Sequence, residues 1–133
     1  MAEQDILSQS TCTNNEASAT IEKYRVVCAD PSDNEGGKLP TAGTDPVIGI
    51  SQVKALATET LPIAYAGISY VTAAGVIARG ATLIISGTVG KVAAKGTGAN
   101  ASGTKIIGTA IKAAGADGDI IPALLTIGSE ISS

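Results

Sequence analysis

Thr82-Leu83-Ile84-Ile85-Ser86, Val89-Gly90-Lys91-Val92-Ala93, Lys105-Ile106-Ile107-Gly108-Thr109-Ala110-Ile111 and Asp119-Ile120-Ile121-Pro122-Ala123-Leu124-Leu125 are four short apolar runs in the C-terminal half of the chain. Each is rich in β-branched residues and bounded by Gly, Asp, Ser or Thr, the pattern of strands joined by tight turns. Ser86-Gly87-Thr88 and Ala114-Gly115-Ala116-Asp117-Gly118 supply the turns. Regular strand spacing without helical periodicity predicts an all-β fold, a small β-barrel or β-sandwich-like domain.

Upstream, Leu61-Pro62-Ile63-Ala64-Tyr65 and Ile68-Ser69-Tyr70-Val71-Thr72 alternate around Ala66-Gly67, which reads as a hairpin or a bulged strand. Val47-Ile48-Gly49-Ile50 is a short strand after Asp45-Pro46, and residues 51–59 fit either a helical turn or a strand. The first strand expected is Glu22-Lys23-Tyr24-Arg25-Val26-Val27-Cys28-Ala29, followed by a long polar loop from Asp30 to Pro40. Residues 73–82 read as an irregular crossover and residues 95–103 as a flexible hairpin tip. Residues 1–20 are polar, with Ile6 and Leu7 as their only sizeable apolar groups, and read as an extended N-terminal arm. The division expected is therefore an arm over 1–20 and a β domain over 21–133.

The 133 residues hold 22 Ala and 16 Gly beside 16 Ile, 8 Val and 7 Leu, so the core must be thin and aliphatic. Each fully buried branched side chain contributes about 1.5–3 kcal/mol. Ordering the backbone costs roughly 1–2 kcal/mol per residue. A loop-rich β domain of this size gains from further burial in an oligomer. Strand edges that need cover point the same way, to a homotrimer.

Chemistry is sparse. The chain has no His, Trp or Phe, its net charge is −3, and its pI is near 4.8. That balance argues against sequence-independent nucleic-acid binding, which needs a basic face. No apolar stretch approaches the roughly 20 residues of a membrane span, and Met1-Ala2-Glu3-Gln4-Asp5 carries acid where a secretory signal would carry base, so no export signal is expected. Gly96-Thr97-Gly98-Ala99-Asn100-Ala101 fits a dinucleotide fingerprint only in letters, because strand rather than helix follows it. Gly98 to Gly103 before Thr104-Lys105 reverses the last two positions of a P-loop, which misplaces both the Lys and the hydroxyl. Asp117-Gly118-Asp119 offers two carboxylates without a ligand-bearing loop and reads as a capped turn. Asn100-Ala101-Ser102 is a glycosylation sequon, which matters only on export. Lys91, Lys95, Lys105 and Lys112 either line one rim of the barrel or guard its strand edges. Cys12 and Cys28 read as one exposed thiol and one small strand residue, with no His or further Cys to complete a metal site. No nucleophile has a recognisable base, so no catalytic, cofactor-binding or metal-binding residue is expected.

The C-terminal half resembles the small capsid-decorating, head-stabilising (cement) proteins of tailed bacteriophages. The resemblance is carried by Ile77-Ala78-Arg79-Gly80-Ala81-Thr82-Leu83-Ile84, by Gly90-Lys91-Val92-Ala93, and by the run from Ile107-Gly108-Thr109-Ala110 through Asp117-Gly118-Asp119 to Leu125. It covers roughly residues 61 to 127 and rests on turn spacing and small residues. The arm and the loop from Asp30 to Pro46 depart from the short family members. The resemblance implies a β-barrel-like virion protein, commonly trimeric, made in the host cytoplasm and seated on the outer capsid. There it would clamp neighbouring subunits of the major capsid protein, without catalysis or cofactor. A β module of a tail, fibre or surface appendage is the alternative, and a small ligand-binding or hydrolytic barrel is a third. The residues expected to meet a partner are Ile6 and Leu7 of the arm, which would add a strand to a sheet edge, with Tyr24 and Arg25 beside them.

Overall fold

The computed structural model describes residues 7–16, 20–96 and 103–130, and no helix occurs among them. Nine strands follow in order: β1 (Leu7–Asn14), β2 (Val26–Ala29), β3 (Gly36–Lys38), β4 (Val47–Ser51), β5 (Thr60–Thr72), β6 (Thr82–Ser86), β7 (Lys91–Ala94), β8 (Lys105–Ala110) and β9 (Ile120–Glu130). They form one sheet in the order β1-β3-β2-β4-β5-β9-β8-β6-β7. β1 also pairs with β5, so the first five strands close into a barrel.

The long strand β5 serves two layers. Thr60 to Gly67 pair with β1, whereas Gly67 to Thr72 pair with β9. The change of partner falls at Gly67, whose φ of 89° is open to glycine but strained for a side chain. The two apolar runs around Ala66-Gly67 are thus halves of one bent strand, not a hairpin.

Beyond Gly67 the chain builds the first barrel a second time. In the first, β1 runs parallel to β3, β3 pairs β2, β2 pairs β4, β4 pairs β5, and β5 returns to β1. In the second, the end of β5 takes the place of β1, and β6, β7, β8 and β9 take the places of β2, β3, β4 and β5. Its parallel closure is one bridge, Ala73 to Val92, supported by Ala74 N–H donating to Val92 O at 2.8 Å.

The correspondence reaches single residues. Val26↔Ile50 and Val27↔Gly49 precede a bulge in the first barrel, and Thr82↔Thr109 and Leu83↔Gly108 precede one in the second. Isolated bridges join Ile21 to Ala55 and Ile77 to Ala114. Tyr24 N–H donates to Ser51 O at 2.8 Å, as Gly80 N–H does to Ala110 O. Both donors lie in the left-handed region, with φ of 63° and 87°. Thr58 N–H donates to Asn14 O and Gly118 N–H to Ala73 O, each at 2.8 Å, again from left-handed residues. Two tandem barrels therefore share one strand.

Their interiors match as well. Cys12, Ile21, Val27, Ala55, Leu61 and Ile63 form the first core. At the same places the second holds Val71, Ile77, Leu83, Ala114, Ile121 and Ala123. Volume is exchanged between neighbours: Gly37 of the first barrel stands where Val92 stands in the second, and Ile63 where Ala123 stands. Close packing requires such compensation, since unfilled space and overfilling both cost stability. Strands β2 and β4 are covered on both faces. Val26, Cys28 and Ile50 join the second cluster, while Val27 faces the first.

Several elements depart from the sequence reading. Leu7–Asn14, inside the segment read as an arm, is a paired strand of the first barrel. The expected loop from Asp30 to Pro40 contains β3. A Cβ on Gly37 would stand 2.6 Å from Cys12 Sγ and 2.8 Å from Val27 Cγ1, so this strand excludes the bulky residues that announce strands. Of residues 51–59, Ser51 ends β4 and the rest form neither helix nor strand beyond the Ala55 bridge. The expected strand from Glu22 begins only at Val26. The fingerprint-like and P-loop-like stretch and the sequon lie largely at residues 97–102, outside the described residues.

Candidate interaction surface

Repetition of the fold lets equivalent surfaces be compared. On the outer face of the β5–β9 pair, Ile68 stands opposite Leu124, Tyr70 opposite Pro122, and Thr72 opposite Ile120. Directly opposed residues of an antiparallel pair share a face. Ile68, Tyr70, Ile120 and Leu124 are 39%, 51%, 53% and 48% exposed, and no charged residue lies among them. The register of the first barrel puts Gln9, Thr11 and Thr60 at the places of Ile68, Tyr70 and Ile120. All three are exposed and polar. Ala64, at the place of Leu124, is buried between the barrels. The fold therefore tolerates polar residues on this face, and the second barrel carries apolar ones.

The candidate partner residues divide. Tyr24 and Arg25 lie at the junction of the barrels. The Tyr24 ring packs on Tyr70 with centroids 5.5 Å apart, extending the apolar face, and Lys23 Nζ lies 4.8 Å from the Tyr24 ring centroid. Arg25 Nη1 donates to Val89 O at 3.0 Å, and Val26 N–H donates to Gly90 O at 2.8 Å. The Arg25 side chain thus ties the β6–β7 turn to the first barrel, while its Nε is buried with no hydrogen-bond partner among the described residues. Leu7 stands at the start of β1 opposite Gly67, where β5 changes partner. Ile6 lies outside the described residues. The apolar face was missed in the sequence because Ile120 and Leu124 look like core residues until the register shows which face of β9 is covered.

A second feature is an open cleft of about 500 Å³ at one end of the first barrel, lined by Ser10, Asp30, Asp33, Glu35, Ile63 and Tyr65 among others. Asn15 Nδ2 donates to Asp30 Oδ2 at 3.0 Å and to Asp33 Oδ2 at 2.9 Å. The Ser32 backbone N–H, then Asn15, holds the Asp30 carboxyl below the usual range. Asn15, then the Glu35 backbone N–H, does the same for Asp33. Both carboxylates are ionised near neutral pH and engaged in turn geometry. Among the described residues no group of three or more His, Cys, Asp or Glu is placed to hold a metal ion.

The remaining motifs resolve into structure. Asp119 Oδ2 accepts from Gly115 N–H at 2.9 Å and Ala116 N–H at 3.1 Å, capping the turn as expected. Asp117 pairs with Lys91 at 2.8 Å, and Lys105 with Glu130 at 2.6 Å. Surface pairs of this kind contribute about 0–1 kcal/mol. Both cysteines are free and buried, in different core clusters, so neither is the exposed thiol expected. Burial raises the Cys12 thiol pKa and, with a lesser contribution from Asp45, pushes that of Cys28 up to about 12.

Neither a protein-family model nor a curated protein sequence matches the chain. Among solved structures it is similar to the N base of the head fiber protein gp8.5 of bacteriophage phi29. The TM-score is 0.64 at 14% sequence identity, over 96% of this chain and 99% of that chain. At this identity the likeness establishes a common fold, spanning both barrels from end to end.

Proposed function

We propose that this chain is a structural protein of a phage virion, attached to the outside of the head. The carrying observation is that the fold it shares with a head fiber base extends over 96% of this chain and 99% of that chain. The absence of His and of any nucleophile–base pair fits a role in binding and assembly. Two forms of attachment are compatible with this fold. As the base of a fibre, the chain anchors an appendage. As a clamp across neighbouring major capsid protein subunits, it stabilises the assembled shell by binding it in preference to free subunits. In either form a homotrimer multiplies weak contacts through effective concentration.

The test is to prepare heads with and without the chain and to examine both by electron microscopy and by heat-induced release of DNA. Loss of a projecting appendage with unchanged heat resistance supports the fibre base. Loss of heat resistance supports the clamp. Particles that never contain the chain refute the proposal.

A further inference from the structure

We infer that the outer face of the β5–β9 pair is where copies of this chain meet one another, with Ile68, Tyr70, Ile120 and Leu124 at the centre of the contact. The inference deepens the self-association in the reading above by naming its surface. The same register carries Gln9, Thr11 and Thr60 in the first barrel, so nothing in the fold requires apolar side chains at the places of Ile68, Tyr70 and Ile120. Four side chains about half exposed leave a patch on the order of 400 Å², within the range of the largest patch on a monomer, which is often functional. A standard interface covers about 800 Å² on each partner. The patch thus supplies the apolar centre, and exposed Thr109 and Thr126 lie on the rim.

Charge selects the occupant. Only residues at a symmetry axis meet their own copies, so a charge at the axis faces a like charge. This face has none. Residues 1–66 hold nine acidic against four basic side chains, a net −5, while residues 67–133 hold five basic against three acidic, a net +2. Acidic first barrels repel one another. The second barrel, with an uncharged face and a small net charge, is the part that self-association can use. A partner of different sequence would more readily be selected by charge complementarity, which this face does not offer.

The full chain is measured by sedimentation velocity in free solution from about 1 to 100 μM, together with Leu124→Glu, Ile120→Glu and, as an exposed position on the corresponding face of the first barrel, Thr11→Glu. Circular dichroism checks that each variant folds. The expected result is an oligomer for the wild type and Thr11→Glu. The two face variants should fall toward the 13.1 kDa of one chain, with at least about thirtyfold weaker association. Leu124→Cys supplies a second readout that needs no disruption: it should cross-link between copies under mild oxidation, and Thr11→Cys should not. A face variant that folds and keeps the wild-type mass, or a wild type monomeric throughout, overturns the inference. So does a monomeric wild type whose binding to heads is lost in Leu124→Glu, since the face would then belong to a coat subunit. Because mass is read without heads, a monomer leaves head attachment intact, and absence from particles leaves this face intact.

Discussion

Gly90 and Gly87 sit in one turn, between β6 and β7, and substituting each by Ala separates two costs of a side chain. Both have left-handed backbones, with φ of 80° and 71°. An L-residue there costs roughly 1–2 kcal/mol. Around Gly87 nothing lies within 4 Å of the position a Cβ would take. At Gly90 that atom would stand 2.9 Å from Arg25 Cβ, 2.9 Å from Val26 O and 3.0 Å from Val26 N. Two of these are backbone atoms of β2, which is covered on both faces and cannot move alone. Relief would also lengthen the 2.8 Å hydrogen bond from Val26 N–H to Gly90 O that joins the barrels. Overpacking of this kind costs about 1–3 kcal/mol. Gly87→Ala should thus lose about 1–2 kcal/mol and Gly90→Ala about 2–5 kcal/mol. Urea unfolding at one protein concentration, with a slope of about 1–3 kcal/mol per molar, would show a clearly lower midpoint for Gly90→Ala at equal slope. Equal midpoints for the two variants would refute the claim that this turn is pressed against the first barrel.

Three further outcomes are expected. Ile21→Ala and Ile77→Ala occupy equivalent, fully buried bridge positions, so each should cost about 2–5 kcal/mol in chemical denaturation, and a negligible loss for one of them would contradict the equivalence. Asp45 Oδ2 accepts from Thr41 N–H at 2.7 Å, Thr41 Oγ1 at 2.9 Å and Ala42 N–H at 3.2 Å. The Thr41 backbone N–H is the main reason its pKa is lowered. A depressed pKa stabilises fully above the unfolded value of about 3.9 and is lost as pH falls through the folded one. Asp45→Asn should therefore be about 1 kcal/mol less stable than wild type near pH 7, with the gap closing below about pH 4, and a gap independent of pH would refute the assignment. Cys12 and Cys28 are free and buried, so both should resist a thiol reagent in the folded protein and react together on unfolding in urea, and rapid labelling of either in the native state would contradict their burial.

The class of fold and much of the strand pattern are legible in the residues alone. Thr82–Ser86, Lys105–Ala110 and Val47–Ser51 are strands where β-branched residues cluster between turn formers, because a pleated, half-buried surface favours those side chains locally. The Asp119 cap was legible for the same reason, since its partners lie within four residues. The duplication was decided only by tertiary structure. Ile21 and Ile77, Ala55 and Ala114, Gly49 and Gly108, and Pro62 and Pro122 keep their identities, but most equivalent positions between them differ. A core constrains summed volume across neighbouring strands rather than any one residue, so Gly37 with Ile63 does the work of Val92 with Ala123. β1 and β3 were hidden likewise: Ser, Thr and Gly form them because pairing partners distant in the chain supply the hydrogen bonds. The exposed face of β5 and β9 depended on register, since Ile120 and Ile121 are the same residue in the sequence. Only the pairing with β5 decides that Ile121 enters the core and Ile120 faces outward.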